Sequence, residues 1–293
     1  MTGGAGFIGS NLVDRLATEG HDLVVIDNES SDVNEEFYWN SKAKNLKLDI
    51  RNFDAISKHF RNIEYVFHLA AQSRIQPSIL EPLKTLETNI IGTANVLEAS
   101  RLSNVKRVIY STTSSYYGLK NSVPNVETQS EDCLNPYSLA KVTGDKLCKI
   151  YSQLYGIETI SLRYFCVYGP REPLKGEYAP VIGLFLRQNH EKKPLTVVGD
   201  GSQIRDFTHV QDVVDANNLM ITSNLVKSGE VYNVGSGKSY SILDIAKSIS
   251  SNITYLPARP AEAKESMANI DKIRQDYGWQ PKMDLLKYIA DSL

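Results

Sequence analysis

Five short runs of β-branched and apolar residues constrain this chain more than any other feature: 23–27 (LVVID), 45–49 (NLKLD), 65–70 (YVFHLA), 107–111 (RVIYS) and 158–163 (ETISLR). Each is apolar on both faces at its centre, and the spacing between runs leaves room for a crossover helix. Strands of that kind are buried under helices on both sides, so the expected fold is α/β, a doubly wound parallel sheet. Ile8, Leu12 and Leu16 recur at i, i+4 and i+8 and place one apolar stripe on a helix ahead of the first run, with Gly20 at its C-cap.

The rhythm breaks after about residue 165, where Gly169, Pro170, Pro173, Gly176, Pro180, Pro194, Gly199 and Gly201 punctuate the chain. Residues 1–165 are expected to form the sheet domain and 166–293 a smaller, loop-rich lobe, with some segments returning to the sheet. No Gly/Ser-rich linker divides them, so the two parts are expected to pack tightly. With 42% hydrophobic residues the chain can bury a substantial core, and 32 Lys+Arg against 34 Asp+Glu leaves a net charge of −2. That balance supplies no field for nucleic acid or an anionic membrane, and no apolar run approaches the roughly 20 residues of a bilayer span. The N-terminus has no basic n-region, so a cytoplasmic protein is expected. Cys133, Cys148 and Cys166 are odd in number and lack CxxC spacing, which suggests neither a disulfide framework nor a metal site.

Gly3-Gly4-Ala5-Gly6-Phe7-Ile8-Gly9 has the GxxGxxG spacing of a phosphate-binding turn that opens a helix. Glycine lets the backbone turn tightly and lets a pyrophosphate approach the helix N-terminus, where free N–H groups and the dipole favour anions. Asp27 ends its run 18 residues after Gly9, close to the spacing of about 20 at which an acidic residue bonds a ribose 2′-hydroxyl. A carboxylate there repels a 2′-phosphate and favours NAD over NADP. Such a turn ordinarily follows a central strand, yet the motif opens at Thr2 and leaves no residues to form one. By contrast, Gly235-Ser236-Gly237-Lys238-Ser239 is no phosphate loop, since GxxxxGK[ST] needs glycine at 232, where Tyr232 stands. It reads as a turn after a VYNV strand, with Ser241 capping a helix over 242–249.

Tyr137 and Lys141 (YSLAK) lie four apart at the head of a helical stretch and project from one face. A free phenol has a pKa of about 10, and a neighbouring ammonium favours its phenolate. The pair gains meaning from a hydroxyl cluster, Ser111-Thr112-Thr113-Ser114-Ser115, at the end of a preceding strand, because ligands bind at strand C-termini in open parallel sheets.

Together with HLAA at 68–71, Asn89 in NIIGT, RYFCVYGPR at 163–171, GDGSQIRDFTHVQDV at 199–213, NVGSG at 233–237, RPAE at 259–262 and YGWQP at 277–281, these motifs resemble the extended short-chain dehydrogenase/reductases almost end to end. The likeness is to the NAD-dependent nucleotide-sugar epimerases and dehydratases, the family that includes UDP-glucose 4-epimerases, against which this chain begins several residues late. The resemblance implies a Rossmann-type sheet, bound NAD and a UDP-sugar substrate. It implies that Gly3, Gly6, Phe7 and Ile8 cradle the pyrophosphate, and that Asp27 and Asn28 take the adenosine ribose. Asp49 and Ile50 would take the adenine, with Leu69, Ala70, Ala71, Asn89, Ser111 and Tyr164 along the rest of the cofactor. Tyr137 would be the catalytic base, Lys141 would bind the nicotinamide ribose and tune Tyr137, and Thr113 would be the catalytic hydroxyl. Arg205 and Arg259 would hold the substrate diphosphate, as planar guanidinium forks suit phosphate oxygens, and Glu262 its ribose.

Dehydratases of this family carry Asp-Glu after the catalytic Thr, where this chain has Ser114-Ser115; that favours 4-epimerisation through a 4-keto sugar. Ser266 falls where relatives restricted to non-acetylated sugars carry a bulky Tyr, so UDP-GlcNAc/UDP-GalNAc is expected alongside UDP-Glc/UDP-Gal. Cys166 replaces the usual Asn of RYFNVYG, and Cys donates only weakly. Arg74 stands where a small Ser is usual; in contact with the sugar it would admit a uronic acid. A uronate epimerase, a 4,6-dehydratase and a catalytically silent interaction or RNA-binding module on the same fold are the competing readings. Helices at 83–102 and 137–154 resemble the pair through which this family dimerises, so a homodimer is expected.

Overall fold

The computed structural model describes residues 1–176 and 178–293. All five expected strands form, with ends displaced by at most two residues: β1 Val24–Asp27, β2 Lys44–Lys47, β3 Tyr65–His68, β4 Arg107–Thr113 and β5 Glu158–Tyr164. Beyond them lie β6 Cys166–Tyr168, β7 Leu195–Val198, β8 Ile204–His209, β9 Glu230–Val234, β10 Ser239–Ser241 and β11 Ile253–Leu256. In the main sheet β1 pairs with β2, and β3, β4, β5 and β9 follow one another, every pairing parallel. The C-terminal half therefore contributes β9 to this sheet. It also forms the three-stranded set β10-β8-β6 and the parallel pair β11-β7.

Alternation along each strand explains why the runs read as apolar throughout. Phe67, Ile109 and Ile160 join Leu12 and Leu16 of the helix Phe7–Thr18 and Val213 and Val214 of the helix Val210–Thr222 in one core. Their neighbours Val66 and Val108 join Val96, Leu97 and Cys148 in a second core on the opposite face. A side-chain period of two sends successive residues to opposite faces, and both faces are covered. A third core, with Tyr168, Phe185, Val197, Phe207, Ile245 and Leu285, holds the smaller lobe. Gly20 ends the first helix at φ +85°, a conformation that glycine adopts without the steric penalty of a Cβ. Ser241 Oγ accepts the Asp244 amide at 3.0 Å and caps the helix Ile242–Ile249 as expected. The amides of Ser236 and Gly237 bond the Asp206 carboxylate at 2.7 and 2.9 Å, so this turn is occupied by the protein's own carboxylate.

Residues 1–3 stand between β1 and β3. Thr2 makes parallel bridges to Ile26 and His68; its amide donates to the Phe67 carbonyl at 3.0 Å, and the Gly3 amide donates to the Ile26 carbonyl at 2.8 Å. His68, neutral because burial pushes its pKa down to about 3, links the Thr2 and Thr93 hydroxyls at 2.7 and 2.9 Å. Beside Met1 a cavity of about 280 Å³ opens between the two strands, lined by Val24, Phe60, Tyr65 and Phe67. Among the described residues no helix is long and apolar enough to cross a membrane.

Candidate active site

A cavity of about 470 Å³ runs across the C-terminal ends of the main sheet, from the glycine turn to the smaller lobe. At one end the glycines are there for different reasons. Gly3 sits at φ +71°, and a Cβ on it would lie 2.5 Å from the Ala70 nitrogen. A Cβ on Gly9 would lie 2.1 Å from the Gly3 oxygen, so the turn and the helix Phe7–Thr18 close on each other. Gly6 faces the cavity, the nearest atom to its missing Cβ being 3.7 Å away. The helix start carries no side-chain cap and no acidic residue in its first turn, which leaves its N–H groups and dipole for an anion. These residues fit a dinucleotide diphosphate: the backbone is exposed where a ligand must come close, and the ligand would meet no carboxylate in that first turn.

Asp27 ends β1 on the cavity wall, its Oδ2 accepting the Ala5 amide at 3.1 Å and its Oδ1 the Glu29 amide at 2.8 Å. Burial pushes its pKa up against those hydrogen bonds. Phe7, Ile8, Asn28, Ile50, Leu69, Ala70, Ala71, Ser111 and Tyr164 share the same wall. Asp49 and Asn89 do not. Asp49 is held below its ordinary pKa by Arg51 and accepts from Asn28 Nδ2 at 3.1 Å, so it steadies a residue of the wall. Asn89 is buried with its amide clamped to both backbone groups of Gln72, at 2.8 and 2.9 Å.

At the reacting end, Asn135 opens the helix Pro136–Tyr155 with a reciprocal capping box: its Oδ1 accepts the Ser138 amide at 2.8 Å, and its own amide donates to Ser138 Oγ at 3.3 Å. This cap sets Tyr137 and Lys141 one turn apart, facing Thr113, Ser114 and Ser115 at the end of β4. Burial raises the Tyr137 pKa, while a hydrogen bond with Thr113 and the charge of Arg74 pull it down. Lys141 Nζ donates to the Ser111 carbonyl at 2.7 Å and lies 4.7 Å from the Tyr110 ring centroid. Desolvation lowers Lys141 itself to about 8.

The smaller lobe closes the far side. Arg205 Nη1 donates to the Ile204 and Lys264 carbonyls at 3.0 and 3.2 Å, and its Nη2 lies 3.8 Å from Glu262. Gln76 donates to Glu262 at 3.2 Å, and the Arg259 guanidinium stands 5.2 Å from the Tyr178 ring centroid. Cys166 and Ser266 also line this end; burial pushes the Cys166 thiol up to about 11, and the Ser266 hydroxyl is buried with no partner. Sequence reasoning missed Glu172. It is buried on the wall with its carboxyl pushed up to about 8, and nothing in a Gly/Pro-rich stretch marks it for burial.

Two outcomes follow from the geometry. Gly6→Ala should leave thermal stability close to that of the parent yet weaken dinucleotide binding about tenfold or more, because the methyl stands where a diphosphate approaches. Gly9→Ala should cost roughly 3 kcal/mol or more of stability, since its Cβ meets backbone; calorimetry on both variants checks the contrast. Lys141 binds its proton less tightly when folded than when unfolded, so stability measured without dinucleotide should rise as pH climbs from about 8 towards 10.5. Below about 8 the buried ammonium imposes its full cost, about 3 kcal/mol. Lys141→Met should raise the melting temperature at pH 7 and flatten that rise; a lower melting temperature with the slope intact would contradict this.

Residues 1–235 match the model of the NAD dependent epimerase/dehydratase family. The chain is 32% identical to the UDP-glucose 4-epimerase of Mycolicibacterium smegmatis, the match covering 100% of this chain and 96% of that protein. It is 31% identical to the UDP-glucuronate 4-epimerase of Thermodesulfobacterium geofontis over 97% of this chain and 91% of that one. The crystal structure of the Thermotoga maritima UDP-glucose 4-epimerase with UDP-glucose superimposes with a TM-score of 0.92 at 33% identity, covering 98% and 94% of the two chains. The chain therefore belongs to the NAD dependent epimerase/dehydratase family, whose cofactor is NAD.

Proposed function

We propose that this protein interconverts UDP-hexoses epimeric at C4 through a 4-keto sugar, with NAD held along the 1–165 part of the cleft and the sugar nucleotide against the 166–293 lobe. The observation that carries the reading is the Tyr137 phenol, bonded to Thr113 and under the charge of Arg74, on the wall of the dinucleotide cleft. Bound NAD supplies reversible hydride acceptance at C4 and, in its oxidised form, a positive ring. Tyr137 takes the C4 hydroxyl proton at its phenolate oxygen as the C4–H bond breaks, and gives it back when the ketone is reduced on its other face. Thr113 orients that hydroxyl. Lys141 fixes the cofactor ribose from its place at the Ser111 carbonyl. Arg205 and Arg259 grip the diphosphate and Glu262 the ribose of the substrate, leaving the sugar free to turn.

Ser114 and Ser115 place hydroxyls where water loss from C5–C6 would need a carboxylic acid and a base, which supports epimerisation over dehydration. Ser266, small and with an unpartnered buried hydroxyl, supports acceptance of a 2-N-acetyl group. Incubation with UDP-glucose and with UDP-GlcNAc in deuterated water should give the C4 epimers with no deuterium in the sugar. Tyr137→Phe should lose about a thousandfold in rate. Deuterium incorporation, or an unchanged rate in that variant, would reject the mechanism.

The same reading includes a homodimer. Leu83 and Ile91, on helices Pro82–Leu86 and Glu87–Ile91, are exposed beside Leu139, Ile150 and Leu154 of Pro136–Tyr155; Leu83 is 72% and Leu154 69% exposed. Adjacent helices with an apolar outer stripe suit a four-helix bundle with a second copy. Sedimentation should show a dimer, and Ile150→Glu with Leu154→Glu a monomer; a monomeric parent would overturn this.

A further inference from the structure

Several observations at the sugar end of the cleft converge on Arg74. Its backbone is keyed to the catalytic helix: the Arg74 carbonyl accepts the Ser78 amide at 3.2 Å, and Ser78 Oγ accepts the Tyr137 amide, also at 3.2 Å. The guanidinium lines the cavity wall, desolvation pulls its pKa down, and its Nε is buried with no acceptor. The groups whose charge reaches it are Tyr137 and Glu172. Glu172 is a poor counter-ion: burial keeps its carboxyl largely protonated at neutral pH, with Oε1 unpartnered and Oε2 turned to the Gly169 amide at 3.4 Å.

Among the described residues no carboxylate forms an ion pair with this half-buried guanidinium, and a desolvated cation without a matching anion is costly until a ligand brings one. The place of the charge identifies the ligand. On the proposed reading Arg205 and Arg259 take the diphosphate, whereas Arg74 shares the cavity wall with Tyr137 and its charge lowers the pKa of that phenol, so the anion it fits hangs within two bonds of C4. On a hexose ring that group is a carboxylate at C6, carried by C5. A guanidinium offers a planar fork to a carboxylate, which a hydroxymethyl group cannot fill.

We propose that Arg74 is a specificity-determining residue that reads the C6 carboxylate of a UDP-hexuronate, making the acidic sugar the preferred substrate. This rests on the reading of the cleft as a UDP-sugar 4-epimerase site. The test measures kcat/KM for UDP-glucuronate and for UDP-glucose in the parent, Arg74→Gln and Arg74→Lys, each loaded with NAD and checked by thermal melting. The parent should prefer UDP-glucuronate, and Arg74→Gln should lower the acid-to-neutral ratio about a hundredfold, with Arg74→Lys between them. If Arg74 serves only to lower the Tyr137 pKa, both substrates lose alike and the pH–rate profile moves to higher pH for both, which overturns the inference. A parent that converts UDP-glucose but not UDP-glucuronate overturns it alone; one that converts neither overturns the epimerase reading and this inference with it.

Discussion

A parallel sheet covered on both faces can offer a ligand only its edges and its strand ends. Here Val66 and Phe67, and Val108 and Ile109, feed separate cores on opposite faces, which forces every polar contact with a small molecule to the carboxyl ends of the strands. The glycine turn, Asp27, the hydroxyl cluster at the end of β4 and Tyr164 at the end of β5 meet there because each follows or terminates a strand running the same way. The smaller lobe then has one place to dock if it is to bury those ends, and Arg205 on β8, Arg259 and Glu262 come with it.

Docking dehydrates the chemistry. Tyr137 and Glu172 bind protons more tightly than in water, Lys141 and Arg74 less tightly, and in each case burial is the main cause. Low dielectric magnifies the interactions that remain, the Thr113 hydrogen bond and the Arg74 charge on the phenol among them. The wall is thus a set of groups whose proton affinities burial has shifted.

Much of this was legible in the chain itself. The strands, the first helix with Gly20 beyond its end, and the Ser241 cap follow from local periodicity and capping chemistry, which act over a few residues. The YxxxK spacing likewise put Tyr137 and Lys141 on one face. What a sequence does not show is where a side chain points after packing: the Asp49 carboxylate accepts from Asn28 and Arg51, the Asn89 amide holds the Gln72 backbone, and the Lys141 ammonium donates to the Ser111 carbonyl.

The sequence by itself determined the order of strands and helices, the glycine turn, the family and the pair of residues at the reacting centre, because those are encoded by period, spacing and residue type. Only the tertiary structure decided that the charge of Arg74 reaches the phenol, that Glu172 is buried with its pKa raised, and that, among the described residues, Arg74 Nε has no acceptor. Those properties arise from desolvation and from contacts between residues far apart in the chain, Arg74 against Tyr137 and Glu172, and no local pattern carries that information.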